Sequence, residues 1–434
     1  MLTSNRIPYR RTIMKSYQSR RRFILQSGKL VAASAAATVT GPFLLSAEKG
    51  SPNERVRFGA IGVGGRGTSI ANAARRFADV VGVCDLDTQR IERVIKGFRA
   101  QDTAKGYQEY RKLLDSKDID FVTIGTTDHW HTRVAIHAMQ AGKDVYCEKP
   151  LTLTIDEGKQ ICKVVKETGR IFQVGTQQRS EMGQKFLQAI GIIREGRIGK
   201  VQKVTCNIGG GPKGGPFKTS APPANIDWNT WLGQAPLVDY IKERCHYQFR
   251  WWYEYSGGKM TDWGAHHVDI AQWALDQSGE GQGPLSIDPV IGEHPIPLKN
   301  GMPTKDNHYN TSHNFHIRCG FPDGVEMNIV SRSPEGNGIL FEGSKGKLLV
   351  SRGKLKGDAV NELKEKPLAS DTIKKIYKGK TPTNHMENFF QCVKDRKHPI
   401  SDVFTHHRAM TTCHLANISI RLGRKLTWDP KTEQ

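Results

Sequence analysis

Lys149 stands in the run Cys147-Glu148-Lys149-Pro150, a cation on a long stem beside a carboxylate. Such a residue can hold negative charge developing on a reacting oxygen. It can equally be one half of a surface salt bridge contributing about 0–1 kcal/mol. Later in the chain Asp262, His266, Asp269 and Trp273 recur at i, i+4, i+7 and i+11, so one helix face would carry all four. A histidine between two carboxylates gains proton affinity and a fixed ring orientation, which suits a general base. Trp263, His267, Ile270 and Ala274 share the neighbouring, more apolar face, and His267 reads as a core residue. A metal site is the rival reading of the His266 face, but no zinc-type spacing is present. His406, His407 and His414 are not at ligand spacing and read as surface or structural.

A third stretch explains what Lys149 could act beside. Residues 56–61 form an apolar, β-rich run, and Gly62-Val63-Gly64-Gly65-Arg66-Gly67 follows at once. Glycines in this G-x-G-x-x-G spacing permit a tight turn, close approach of backbone to a pyrophosphate, and close helix packing. The helix that follows would meet the phosphates with its free N–H groups. The next strand, 80–84, ends in Asp85, placed to accept from both ribose hydroxyls of a dinucleotide. An acid there favours NAD over NADP; Arg90 nearby leaves NADP open.

The elements that would position these residues alternate. Strands are expected at 121–124, 144–147 and 171–174, with helices at 109–114, 134–141 and 156–168. Pro150 lacks an N–H and ends the strand at 144–147, which leaves Lys149 at its carboxyl end, on the same sheet edge as the glycine turn. This is the pattern of a doubly wound parallel sheet. From residue 177 the pattern changes. A helix at 184–195 leads to a strand at 201–207, then to a Gly- and Pro-rich loop over 209–225 whose length points to function. Trp228, Trp231, Trp251 and Trp252 follow, as aromatic platforms or as core. Alternating runs at 313–319, 325–330, 339–342 and 347–350 read as an antiparallel sheet, and 384–394 and 405–422 as helices.

The 434 residues allow two to three domains, and 37% hydrophobic with 25% charged residues is ordinary globular composition. The net charge of +21 includes eight Lys and Arg in residues 1–47, a segment without acids; outside it the charge is +13 and dispersed. That pattern argues against nucleic acid and for a basic surface that attracts acidic saccharides. Ser19-Arg20-Arg21-Arg22-Phe23-Ile24-Leu25, followed by an alanine-rich apolar run, resembles a twin-arginine export signal. It implies export through the twin-arginine translocon to the periplasm, with an uncleaved, membrane-tethering signal as the alternative. The eight cysteines contain no C-x-x-C and read as buried thiols.

With these residues in view, the chain resembles the glucose–fructose oxidoreductase/inositol dehydrogenase (Gfo/Idh/MocA) family from about residue 56 to the C-terminal helix. The carriers are the glycine turn, Glu148-Lys149-Pro150, and the Gly-Gly-x-x-x-Asp-x-Gly-x-His-x-x-Asp pattern of residues 257–269. Thr127 and Ser256 depart from the family's usual proline and glycine. The resemblance implies an α/β molecule: a signal segment (1–47), a Rossmann domain (55–176), and an α+β domain (177–430) built on a large, open, mostly antiparallel sheet. It implies NAD, with NADP as the alternative, contacted by Gly62, Val63, Gly64, Gly65, Arg66, Gly67, Asp85, Thr126, His129, His131, Glu148, Lys149 and Gln177. It places catalysis on Lys149, Asp262 and His266, and substrate contacts on these three with Arg179 and Trp251; no metal is assigned. The expected reaction is hydride transfer from a CH–OH group of a sugar or polyol, with tightly bound nucleotide, in a homodimer or homotetramer. His266 would be the base, oriented by Asp262, with Lys149 as the competing base. The alternatives are a redox-neutral NAD-dependent glycosidase or lyase, although the Tyr-Pro-Thr-His-Gly stretch associated with that branch is missing, and a non-enzymatic periplasmic sugar-binding protein. Intact Lys149, Asp262 and His266 argue against the last.

Overall fold

A computed structural model describes residues 55–434; the arginine-rich stretch expected to be an export signal lies outside the described residues. Six short strands open the chain: β1 (Arg57–Ile61), β2 (Asp79–Cys84), β3 (Lys105–Tyr107), β4 (Phe121–Ile124), β5 (Asp144–Cys147) and β6 (Phe172–Val174). They form one parallel sheet in the order β3-β2-β1-β4-β5-β6. Burial on both faces explains why β4 and β5 show no alternation of apolar and polar residues. Helices α1 (Gly65–Ala74), α2 (Thr88–Phe98), α3 (Tyr110–Leu114), α4 (Asp128–Gln140) and α5 (Ile155–Thr168) make the crossovers. Sequence reasoning missed β3, whose Lys-Gly-Tyr carries no β-pattern, and started α4 late. Local chemistry sets several ends: Asp87 caps α2 by accepting from Gln89 N, and Thr154 with Glu157 forms a capping box on α5.

The rest of the chain supplies α6 (Lys185–Arg194), β7 (Val201–Asn207), α7 (Trp228–Leu232), α8 (Lys259–Asp262), α9 (Gly264–Ala274), β8 (Ser286–Glu293), β9 (Leu298–Lys299), β10 (Met302–Pro303), β11 (Asn314–Gly320), β12 (Glu326–Val330), β13 (Gly338–Gly343), β14 (Lys347–Val350), β15 (Leu355–Lys356), α10 (His385–Asp395), α11 (Val403–Leu422) and β16 (Leu426–Thr427). Eight of these strands form the second sheet, ordered β15-β14-β13-β7-β12-β11-β8-β16, antiparallel except for β7 with β12. Strand β8 was missed because Pro289 and Gly292 interrupt its alternation; a register shift in β11 accommodates them.

Two returning helices join the lobes. Met386, Phe389, Cys392 and Val393 of α10 pack with Phe58, Phe121 and Tyr146 of the first sheet, so α10 belongs in space to the lobe of residues 55–176. Helix α11 packs on α9 and on α5: a Cβ at Gly264 would lie 2.8 Å from Cys413 Sγ, and one at Gly158 2.1 Å from His407 Nδ1. His406, His407 and His414 are all buried here, which corrects the surface alternative and keeps the structural one. All eight cysteines are free thiols, seven of them buried.

Candidate active site

The glycine turn lies at the carboxyl end of β1 and Thr126 just past the carboxyl end of β4, neighbouring strands whose crossovers leave in opposite directions. This switch point is where open α/β sheets bind ligands. Gly62 has φ +76° and no room for a Cβ, which would lie 2.5 Å from Thr126 N; at Gly67 it would lie 1.7 Å from Gly62 O. These two glycines serve close packing. Gly65 faces open space, at the start of a helix whose first N–H groups have no side-chain cap. Asp85 ties the turn to β2, accepting from Val63 N at 2.8 Å and Asp87 N at 3.0 Å. Burial raises its pKa against the pull of the Asp87 amide, Arg90 and the Val63 amide. A cavity of about 590 Å³ opens over these residues, lined also by Thr126, His131, Glu148 and Lys149. An open helix start, an acid in the lining at the end of β2 and this volume together fit an NAD molecule.

Its far wall comes from the other lobe, through Thr230, Trp231, His246, Tyr247, Phe249 and Arg250. The segment carrying them is fastened to the nucleotide side. Asn225 Nδ2 donates to Asp87 Oδ1 (2.8 Å), Trp130 Nε1 donates to Trp231 O (3.0 Å), and Arg90 hydrogen-bonds His246. Arg90 also pairs with Asp87 at 3.3 Å. The four tryptophans are core: Trp228, Trp231, Trp251 and Trp252 form one aromatic cluster, and only Trp231 reaches the cavity.

Lys149 does not sit on the surface. Its Nζ donates to Asp262 Oδ1 at 2.6 Å and to Asp262 O at 3.0 Å, with both side chains largely buried. Arg250 stands 3.8 Å from Asp262 Oδ2. Burial pushes the Asp262 carboxyl up, but Lys149 and Arg250 outweigh it and hold it below its ordinary value. A second cavity of about 570 Å³ lies on the other side of this pair. The two cavities share Arg66, Glu148, Lys149, Tyr247, Arg250 and Asp262, so the ion pair stands where they meet. Glu148 accepts from Arg66 Nε (2.9 Å) and Gln177 Nε2 (3.0 Å), and Gln177 lines the second cavity instead of the first.

The expected His266 geometry does not hold. The helix breaks at Trp263, which ends α8 and begins α9. Asp262 gives both its side chain and its backbone carbonyl to Lys149. Asp269, the other expected neighbour, accepts two bonds from Arg179 (2.6 and 2.8 Å), with His406 Nδ1 at 3.1 Å. Burial raises Asp269, yet Arg179 and His406 bring it to about 2. His266 lines the second cavity with its Nδ1 buried and without a hydrogen-bond partner. Burial, Lys149 and Arg352 drive its pKa well below the usual histidine range, the reverse of what two carboxylates would do.

Three other expectations are corrected. Arg179 is buried in its pair with Asp269 and also donates to Ile400 O at 2.8 Å, so its contacts are structural and it lines neither of these two cavities. Trp251 is buried, with Nε1 donating to Gln248 Oε1 at 2.8 Å. His129 turns toward Trp231 and Tyr255, because α4 starts at Asp128; Asp128, His131 and Val134 then face the cavity at three-residue spacing. His131 Nδ1 donates to Pro150 O at 2.7 Å and so steadies the Lys149 loop. Sequence reasoning missed Asp128 itself. It is buried in the nucleotide cavity, accepts from Ser256 Oγ at 2.5 Å, and burial, against Ser256 and Arg250, raises its pKa to about 7. The departure at Ser256 from the glycine usual at that position was the available signal.

Known proteins agree with this architecture. Residues 56–176 match the model of an oxidoreductase family's NAD-binding Rossmann fold, and residues 215–434 that of the same family's C-terminal alpha/beta domain. An inositol 2-dehydrogenase from Salmonella typhimurium is 31% identical over 150 residues, 33% of this chain and 43% of that protein. An alpha-N-acetylgalactosaminidase from Shewanella oneidensis is 31% identical over 159 residues, 34% of each chain. The chain thus spans less than half the length of the curated relatives it matches. The structure of an aldose-aldose oxidoreductase from Caulobacter crescentus superposes with a TM-score of 0.61 at 16% identity, covering 86% of this chain and 99% of that one.

Proposed function

This chain belongs to the Gfo/Idh/MocA oxidoreductase family, and on that premise we propose that it oxidises a CH–OH group of a sugar or polyol with resident NAD. The observation that carries the reading is the Lys149–Asp262 pair at the meeting point of the two cavities. When bound, NAD supplies the hydride acceptor. Lys149, held by Asp262, donates to the substrate oxygen and keeps charge developing there in place. His266 takes the hydroxyl proton. A base needs an open lone pair at working pH, and burial with two cations nearby keeps this ring neutral. Asp85 and the engagement of Arg90 by Asp87 favour NAD over NADP. Export by the twin-arginine route, with the nucleotide carried inside the folded protein, completes the reading.

A second reading rests on the identity to the N-acetylgalactosaminidase: the same oxidation, followed by elimination of the aglycone, addition of water to the resulting double bond and re-reduction, would hydrolyse a glycoside with no net redox change. Incubating purified protein with sugars, polyols and glycosides while following both reduced nucleotide and released sugar separates the two. Accumulating reduced nucleotide without sugar release supports the dehydrogenase. Sugar release without net reduction supports the glycosidase, and neither signal across the panel overturns both.

A further inference from the structure

Five cations line the second cavity: Lys149, Arg66, Arg250 and Arg352, with Arg76 just past the end of α1. Three have carboxylates. Lys149 has Asp262, Arg66 has Glu148 at 2.9 Å, and Arg250 lies 3.8 Å from Asp262. Arg352, just after β14, has none within ion-pair distance among the described residues. Its Nε donates to the neutral Gln178 Oε1 at 3.1 Å, and its guanidinium lies 4.7 Å from the centre of the Trp263 ring. Gln178 also holds His267, so the donor is fixed from two sides. Burial and the nearby Arg66 disfavour the charge on Arg352, more than the Asp262 carboxylate favours it. Arg66 and Arg352 both line this cavity. A planar guanidinium stacked on an indole, with N–H groups left over and no carboxylate at ion-pair distance, suits an oxyanion.

We propose that the second cavity takes an acidic sugar, and that Arg352, with Arg66, binds the substrate's oxyanion group while Lys149 and His266 act on a hydroxyl. The proposal rests on the dehydrogenase reading for its second half only. The dispersed excess charge of +13 outside residues 1–47 would steer such a ligand inward.

The test is calorimetric titration of the NAD-loaded protein with D-glucose, D-glucuronate and D-glucose 6-phosphate, in the wild type, Arg352→Gln and Arg352→Lys. Losing a charge-assisted hydrogen bond to a partly buried ligand corresponds to about 10- to 100-fold in affinity. At least one acid should bind about 10-fold or more tightly than glucose. The glucuronate and phosphate arms separate a carboxylate from a phosphate. In Arg352→Gln that preference should fall to within about threefold of unity, and in Arg352→Lys it should survive in part. Equal binding of glucose and both acids, a preference unchanged in Arg352→Gln, or no binding of either acid overturns the proposal. Turnover is followed on the same samples. Arg352-dependent binding without oxidation leaves this site standing and refutes the dehydrogenase reading; oxidation without charge preference does the opposite.

Discussion

Lys149 and Asp262 share one short hydrogen bond, so removing Asp262 leaves Lys149 largely buried without its carboxylate, and removing Lys149 leaves Asp262 with only the longer contact to Arg250. Lys149→Ala should lower turnover by about 10²–10³, the scale for losing one preorganised donor. Lys149→Arg should not restore it, because a planar fork cannot replace a compact ammonium. Nucleotide binding, followed by quenching of protein fluorescence, should change little in either variant. Asp128 supplies a pH test. The folded protein holds its proton up to about 7 while the unfolded chain releases it near 3.8. The folded state therefore binds more protons across that window, and the contribution of Asp128 to stability falls as pH rises from about 4 to about 7. Asp128→Asn removes the dependence, so its melting temperature should gain on the wild type over that range. A constant difference would mean that Asp128 is ionised in the folded protein.

At the scale of elements, contacts with distant segments decide which carboxylate serves which partner. The i, i+4, i+7 spacing is real, but it describes a continuous helix, and α8 is four residues long. Nothing local in Thr-Asp-Trp-Gly announced that Asp262 would give its side chain and carbonyl to Lys149, a contact between lobes. The glycine turn, Asp85 and Lys149 were legible because each rests on a strand end and a local rule. Arg179, Trp251 and His129 were not, since their roles depend on segments far away in sequence: Ile400 and Asp269 for Arg179, the aromatic cluster for the others. Asp269→Asn tests the revised assignment. Breaking a buried pair that also holds Arg179 should cost about 3–5 kcal/mol. The wild-type benefit is present above the ordinary carboxylate range and lost as pH falls toward about 2. A variant that melts like the wild type yet loses activity would return Asp269 to the service of His266.

For the whole molecule, the nucleotide cavity is a joint product of two lobes. One wall is the sheet edge, and the other is the segment fastened by Asn225 to Asp87 and by His246 to Arg90. These ties join the two walls, so cutting them should let a nucleotide seated between them leave faster. Bound nucleotide should therefore stabilise the fold as a unit, by about 2.7 kcal/mol at a hundredfold excess over its dissociation constant. The double variant Asn225→Ala/His246→Ala removes two polar ties, each contributing roughly 1 kcal/mol. NADH should then leave about tenfold faster, since weakened contacts act mainly on the dissociation rate. A stopped-flow chase of bound NADH with excess NAD measures this, with association followed in parallel. Should the variant release NADH at the wild-type rate, the segment over residues 225–256 is a static wall, and retention of the nucleotide must come from the glycine turn and Asp85 alone.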